Sequence, residues 1–534
     1  MPAGPDRTAL MLTHSRVYFV YGGDAPDRGE GSERLLRLLV GLKRAYPDRV
    51  ALLAGNRDLN KLRMTSELAP SDLARHHSMI PPIHWDANAP TLSQYLEGVA
   101  AERGDGSTAD DCDCAAERLR WMYKHTLGCP DTFELRRREI AMIRTKVREP
   151  NAAEVASITD DDVVQAAIDD VRPGGAMYDY LHSACIGAVV GETLFVHGAV
   201  DAQTAGYVPV DGTRFVAPAE PQPMSWVSSP KAWVAELNQL LQRGLADHAL
   251  RPEWDASRTT RGGEILLALQ NRDAMWGRSV VSNCYADGGC ITTSCATAIR
   301  LQAFAKAEVE RDCRAFTAVS SEPRDERVAA WLKQDGIRRV VVGHKPSGDS
   351  PAVLSAVYTG IEVISADTSY AAPSTPDGRG CSVACVLLRG PSLHETRAEI
   401  YGVLATGEEH RAVLPPPSSV TSLTVTPGSE AMGLEQRDNG LEKDAAAGRL
   451  DGTQGDPFIG LLLEDGWWVK ARTLPGENKQ PARYHCCRGS GRKVEYSYRD
   501  AEPGGQNPPR VATLGHIRVD IRMDQSDVPE TTTP

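Results

Sequence analysis

Short apolar runs rich in β-branched residues recur along the chain. They are RVYFVY (16–21), RVALLAG (49–55), IGAVVGETLFVHG (186–198), RRVVVGH (338–344), IEVISAD (361–367) and SVACVLLRG (382–390). Most end in Gly, His or Asp, the pattern of strands that deliver a loop to a site. Between them the apolar period changes from continuous to helical. After Ser32, Leu35, Leu38, Leu39 and Leu42 fall at i, i+3, i+4 and i+7, which predicts a helix that stops before Pro47. Further helices are predicted at 115–127, 133–148, 160–171, 230–250 and 325–335. Strands alternating with helices, the strands apolar on both faces, predict an α/β core with covered sheets.

The polar stretches divide the chain. Residues 104–114, GDGSTADDCDC, read as a surface loop. A Pro/Ser/Thr-rich stretch at about 414–428 ends the core, and residues 415–455 as a whole read as a polar linker. Residues 456–500 then read as a small β-rich module. FIGLLLEDGWWVKARTL carries an Asp-Gly turn signal and ARYHCCRGSGRKVEYSYRD a Gly-Ser-Gly one. Residues 501–534 are expected to be a mobile tail, and no internal repeat is evident.

Composition narrows the function classes. The chain has 534 residues, 41% hydrophobic and 24% charged, which is ordinary for a globular protein. A formal net charge of −12 argues against general nucleic-acid binding, although a local basic patch remains compatible with an anionic substrate. No window approaches the roughly 18 apolar residues of a membrane span. The N-terminal residues lack the apolar region of a signal peptide, so a cytoplasmic protein without a membrane partner is expected. The 12 cysteines form no pair of CxxC knuckles, which fits reduced thiols better than a structural zinc site.

Four strand ends carry unusual chemistry. Asp24, Asp27 and Arg28 lie in the glycine-rich stretch YGGDAPDRGEG, and Asn56, Arg57 and Asp58 follow in GNRD. The two turns lie 32 residues apart (56 − 24), a strand-helix-strand spacing that places both on one edge of a parallel sheet. His197 and His344 each close a later apolar run. A carboxylate, an amide oxygen and two imidazoles form a mixed donor set for a transition metal. Arg28 supplies the planar fork suited to phosphate oxygens. Taken singly, each has a plain structural reading: an Asx turn, a loop asparagine or a partly buried histidine. Weaker candidates are Trp276 and Arg278 as cleft-lining residues, Asp367 as support for the site, and Trp467 and Trp468 as half-exposed aromatics. Asp349, in the Gly-Asp-Ser-Pro turn after His344, reads as structural.

GDAPDRG, GNRD, VHG and GHKPSGDSP, in that order between about Val17 and Leu414, closely resemble the motifs of the calcineurin-like metallophosphoesterase superfamily, on its phosphoprotein-phosphatase-like side. The resemblance implies a domain over residues 1–414 with a four-layer α/β/β/α sandwich and a dinuclear metal centre at one sheet edge. It implies that Asp24 bridges two divalent metals, with manganese, iron or zinc all suitable. Asn56, His197 and His344 would complete the second metal's site. Asp27 would sit behind the site, and Arg28, with Asn56, would bind the substrate phosphate.

The implied activity is hydrolysis of phosphate monoesters or phosphoanhydrides by a metal-activated water. The phosphorylated substrate could be a protein, a nucleotide or another small molecule. The alternative is a pseudophosphatase that binds phosphate groups or acts as a scaffold. The β-rich module is a further candidate for contact with a protein partner.

Two departures from the pattern matter. No D-x-H motif precedes Asp24, so one metal site is fully supplied, and we expect a natural N-terminal strand upstream. Arg57 stands where the family's common form has a histidine that protonates the leaving group. Arginine is a poor proton donor but can stabilise developing negative charge, which favours good leaving groups. An Asp27–Arg57 ion pair that only braces the loop is the plainer reading.

Overall fold

The computed structural model describes residues 9–81, 89–200, 205–210, 224–269, 326–344, 348–356, 359–368, 383–417, 455–456, 458–463, 465–475, 481–490 and 493–501. Trp276, Arg278, Lys345, most of the 415–455 linker and residues 502–534 lie outside them. The chain is mixed α/β with several sheets. Among the described residues no helix is long and apolar enough to cross a membrane.

In chain order the first strands are β1 (Phe19–Tyr21), β2 (Val50–Leu52), β3 (Gly187–Val190), β4 (Thr193–Val196), β5 (Tyr207–Pro209), β6 (Met224–Trp226), β7 (Arg339–Val342), β8 (Ala352–Leu354) and β9 (Glu362–Ser365). β1 and β2 pair in parallel, Phe19 opposite Val50, with the predicted helix Ser32–Ala45 crossing between them. Its buried face is Leu36, Leu39, Val40 and Leu42, rotated from the expected stripe. Leu36 and Val40 extend the apolar side and Arg34, Arg37, Gly41 and Arg44 take the exposed one, so the helix is amphipathic about a slightly rotated face.

The strand pair continues through a bridge from Leu53 to Cys185, whose backbone N–H donates to Leu52 O at 2.8 Å. This leads into a second set of strands in the order β3-β4-β7-β9-β8. β4, β7 and β9 are parallel, so the loops after β4 and β7 emerge at one edge. Those loops carry His197 and His344.

The later strands are β10 (Val383–Ser392), β11 (Glu395–Val403), β12 (Glu409–Val413), β13 (Trp468–Thr473), β14 (Arg483–Ser490) and β15 (Lys493–Asp500). They form one antiparallel sheet in sequence order. This corrects the expected boundary at 414/415. The β-rich residues 456–500 are not a separate module, because β13 adds directly to β12 with His410 opposite Thr473. The polar linker interrupts the sequence without interrupting the sheet. A strand edge exposes unpaired backbone donors and acceptors, and β13 satisfies those of β12.

Helices cover one face of the first sheet. Tyr180, Leu181, Leu237, Leu240 and Leu241 share a buried cluster with Leu52, Leu194, Val196, Val340 and Val342. On the other face, Val353 and Ile364 pack with Ala398, Ile400, Ala412, Val469 and Ala471 of the second sheet. At the end of β7 remote from His344, Arg339 is fully buried and pairs with Glu362. It also donates to Thr396 Oγ1 at 2.6 Å and Thr396 O at 2.9 Å, bolting the two sheets together.

The predicted helices at 133–148, 160–171, 230–250 and 325–335 appear as Thr132–Thr145, Asp160–Asp169, Pro230–Leu250 and Glu326–Gln334. The one at 115–127 is α-helical only over Ala115–Trp121. It then widens into a π-turn at Met122–Thr126, where Leu127 N donates to Met122 O. The 104–114 loop contains a short helix, Ala109–Cys112, capped by Thr108.

Candidate metal and phosphate site

The loops after β1, β2, β4 and β7 converge at one sheet edge, and the backbone there is unusual. Asp24, Asp27, Arg28 and His344 all have positive φ, at 52°, 74°, 60° and 66°. L-residues rarely adopt this region; each such residue costs about 1–3 kcal/mol and persists only where its surroundings enforce it. The enforcement at Asp24 is visible. Asp58 is fully buried, and its carboxylate accepts N–H donors from Gly55 at 2.7 Å, Asp24 at 2.9 Å and Ala25 at 3.1 Å. One side chain thus ties the β1 loop to the β2 loop. Neither glycine at the junction can be replaced without movement. A Cβ on Gly23 would lie 2.8 Å from both Gly55 N and His197 Nδ1, and one on Gly55 would strike Asp24 Oδ1.

Four predicted ligands face one another. His197 Nδ1 donates to Gly22 O at 2.7 Å, which leaves Nε2 as the ring's unprotonated nitrogen in the neutral imidazole. That Nε2 lies 3.3 Å from Asp24 Oδ1 and 3.2 Å from Asn56 Oδ1. His344 Nδ1 lies 2.9 Å from the same Asn56 oxygen. The two imidazoles meet edge to face with centroids 5.3 Å apart. The ligating atoms of Asp24, His197 and His344 all lie within 4.8 Å of one another.

The electrostatics show the same convergence. Burial opposes ionisation of Asp24, but His197, Arg57 and His344 hold its carboxyl well below the usual range. Burial likewise opposes charging of His197, yet Asp24 pushes it up to about 9. Burial and the Asp24 charge push the Asp58 carboxyl up to about 7.

Arg57 stands beside this cluster. Its N–H donates to Asp24 Oδ1 at 2.9 Å, and its Nε lies 3.5 Å from Asp24 Oδ2. Its Nη1 lies 3.8 Å from Asp27 Oδ2, so the expected Asp27–Arg57 ion pair is present but long. The closer partner of Asp27 is Lys61, at 2.7 Å and nearly as buried. Arg28 and Arg57 both donate to Gly128 O, at 3.3 Å and 3.5 Å, which holds two guanidinium groups side by side. Asp367 contributes its charge here. Burial, then Asp58, Asp24 and Asp367, push the Tyr21 hydroxyl well above its ordinary range.

The structure therefore brings together Asp24, Asn56, Arg57, His197 and His344, places Arg28 beside Arg57, and turns Asp27 toward Lys61. Three contributors lacked an assigned role in the sequence reading. Asp58 was visible in GNRD, with the position of a helix-capping acid three residues after Gly55. Lys61 follows Arg57 at i+4, the helical spacing for a shared face. Gly128 carries no local signal, because its carbonyl arrives from a distant π-turn.

Trp468 is buried, not half-exposed, whereas Trp467 is partly exposed under Arg488 and Arg499. The described cysteines are free thiols. A second donor cluster, His76, His77 and Asp110, is more self-contained. His76 Nδ1 accepts from Ser78 N at 3.2 Å, so its Nε2 carries the proton donated to Asp110.

Comparison of the chain with protein-family models, curated proteins and solved structures returns no match in any of the three.

Proposed function

We propose that the chain is a metal-dependent phosphoesterase of the calcineurin-like type, with Asp24, Asn56, His197 and His344 holding a divalent cation. The observation that carries this reading is the convergence of acceptor atoms. With its Nδ1 proton committed to Gly22 O, His197 presents Nε2 to two oxygens that cannot donate, and the positive charge Asp24 favours on the ring marks the place a cation would take. Positive charge at their centre satisfies all of them, and the donor set suits manganese, iron or zinc. A cation held there lowers the pKa of a water and polarises a phosphoryl oxygen.

The chain's own groups supply the rest. Arg28 and Arg57, side by side at Gly128 O, form a forked cationic face for phosphoryl oxygens. Arg57 stays charged, so it stabilises negative charge on a departing group without protonating it. Lys61 takes the close contact with Asp27, at 2.7 Å, and leaves Arg57 only a long one, at 3.8 Å. Asp58 holds both ligand loops in their strained conformation. Asp24 directs Oδ1 to the cluster and Oδ2 to Arg57, an arrangement that supports one cation at this site.

A cytoplasmic location and the four-layer sandwich belong to the same proposal; helix, sheet and sheet are the layers that support it. The competing reading, a phosphate-binding pseudophosphatase, is favoured by Arg57 in place of a proton donor. Hydrolysis of p-nitrophenyl phosphate and nucleotide polyphosphates with added Mn²⁺ tests between them. Metal-dependent turnover supports the esterase, whereas phosphate binding without turnover supports the pseudoenzyme.

A further inference from the structure

His344 follows the end of β7. The chain must pass from there to β8, two places away in the sheet, because β9 lies between them. His344 sits at a φ of 66°, a conformation that must be enforced from outside. On the upstream side Gly343 N donates to His197 O at 2.9 Å.

The downstream restraint comes from the C-terminal strands. Asp349 is 4% exposed, and its Oδ1 accepts from His485 Nε2 on β14 at 2.8 Å. Lys470 Nζ on β13 lies 4.0 Å from the same oxygen and is fully buried. Lys470 reaches that point because the β13–β14 register slips between Val469 and Ala471, a bulge that re-aims one side chain. His485 is itself fixed by stacking on Tyr496, with ring centroids 5.1 Å apart. The backbone before Asp349 runs tight against the same groups. A Cβ on Gly348 would lie 2.9 Å from both Lys470 Nζ and Tyr496 Oη, and Gly348 has a φ of 102°.

We propose that Asp349, gripped by His485 and Lys470, is a positioning residue for His344, so that strands β13 and β14 are a working part of the metal site. The proposal rests on the reading of His344 as a ligand. The grip passes from the second sheet to the loop through one buried carboxylate. Breaking it releases the loop into conformations in which His344 leaves its strained backbone and its place beside Asn56. Outer partners that orient a ligand typically contribute 10–100-fold to metal affinity.

The test uses the full chain with His485→Phe, which keeps the ring and its stacking but removes the donor, and His485→Gln, which restores an amide donor. Two quantities are measured: amide hydrogen exchange over residues 343–350 without metal, and affinity for Co²⁺ by its absorption spectrum. H485F is expected to exchange about 10-fold faster in this loop and to bind Co²⁺ about 10-fold more weakly. H485Q is expected to recover most of both. If H485F does not fold, Gly348→Ala carries the test, because its Cβ pushes the same loop off Lys470 and Tyr496. Loop exchange and Co²⁺ affinity within twofold of the parent in a folded variant would overturn the grip. Faster loop exchange in a protein whose parent binds no Co²⁺ would keep the grip and overturn the metal reading instead.

Discussion

The Asp58 carboxylate accepts the backbone N–H of Asp24 at 2.9 Å across the gap between two parallel strand ends. Asp58 also accepts from Gly55 and Ala25. Asp58→Asn turns an amide N–H₂ toward donors that need an acceptor. An unsatisfied buried group costs about 1–3 kcal/mol, so D58N is expected to lower stability by that amount. Its metal affinity is expected to fall as well, because Asp24 loses its restraint. Urea unfolding with and without Mn²⁺ measures both; an unchanged midpoint would show that Asp58 does not lock the loops.

The Asp27–Lys61 pair gives a sharper energetic test. Both side chains are at most 9% exposed, and removing one partner of a buried pair typically costs about 3–5 kcal/mol. Lys61→Met is expected to destabilise by that order, while Asp27→Asn combined with K61M recovers part of the loss. A double-mutant cycle by chemical denaturation would show strong coupling. Additive losses would mean that the pair is incidental.

Arg57 predicts leaving-group selectivity. Without a proton donor there, the chain is expected to hydrolyse p-nitrophenyl phosphate far faster than phenyl phosphate. Arg57→His should narrow the ratio of kcat/KM by up to about 10²-fold, the lower range for general acid catalysis. A ratio that does not change would remove Arg57 from the leaving-group side of the site.

Two histidines away from the site set acid sensitivity. Burial pushes His248 down to about 4; burial and the Lys470 charge do the same to His410. Both are at most 5% exposed. Unfolding returns each to about 6.5, so between these values the unfolded chain binds more protons and stability rises with pH. The contribution of these two histidines is therefore expected to be complete above about pH 6.5 and to be lost progressively toward pH 4. His248→Gln should flatten that slope in denaturant titrations at stepped pH. An unaltered slope would mean that His248 is already protonated in the fold.

The parts of the fold visible in the sequence are those governed by local pattern. The β1–helix–β2 unit could be read from apolar runs and a 32-residue spacing, and the four loops from Gly, Asp and His at strand ends. What escaped depended on distant pairing. The join of β13 to β12 is a backbone event across a long polar stretch and leaves no mark on composition. Asp349 looked like an ordinary turn residue because its partners, His485 and Lys470, lie more than a hundred residues away. The Asp27–Lys61 pair was hidden for a different reason: Arg57 was the nearer candidate by chemistry, and only three-dimensional packing brings Lys61 closer.

Equilibrium dialysis of the full chain and of Asp24→Asn/His344→Ala with Mn²⁺ or Zn²⁺, alongside p-nitrophenyl phosphate turnover, decides whether this cluster holds a catalytic metal. The parent is expected to hold a divalent ion in the cluster of Asp24, Asn56, His197 and His344 and to turn over only when loaded. The double variant is expected to lose both. Metal content and turnover that survive in the double variant would contradict the assignment of this site.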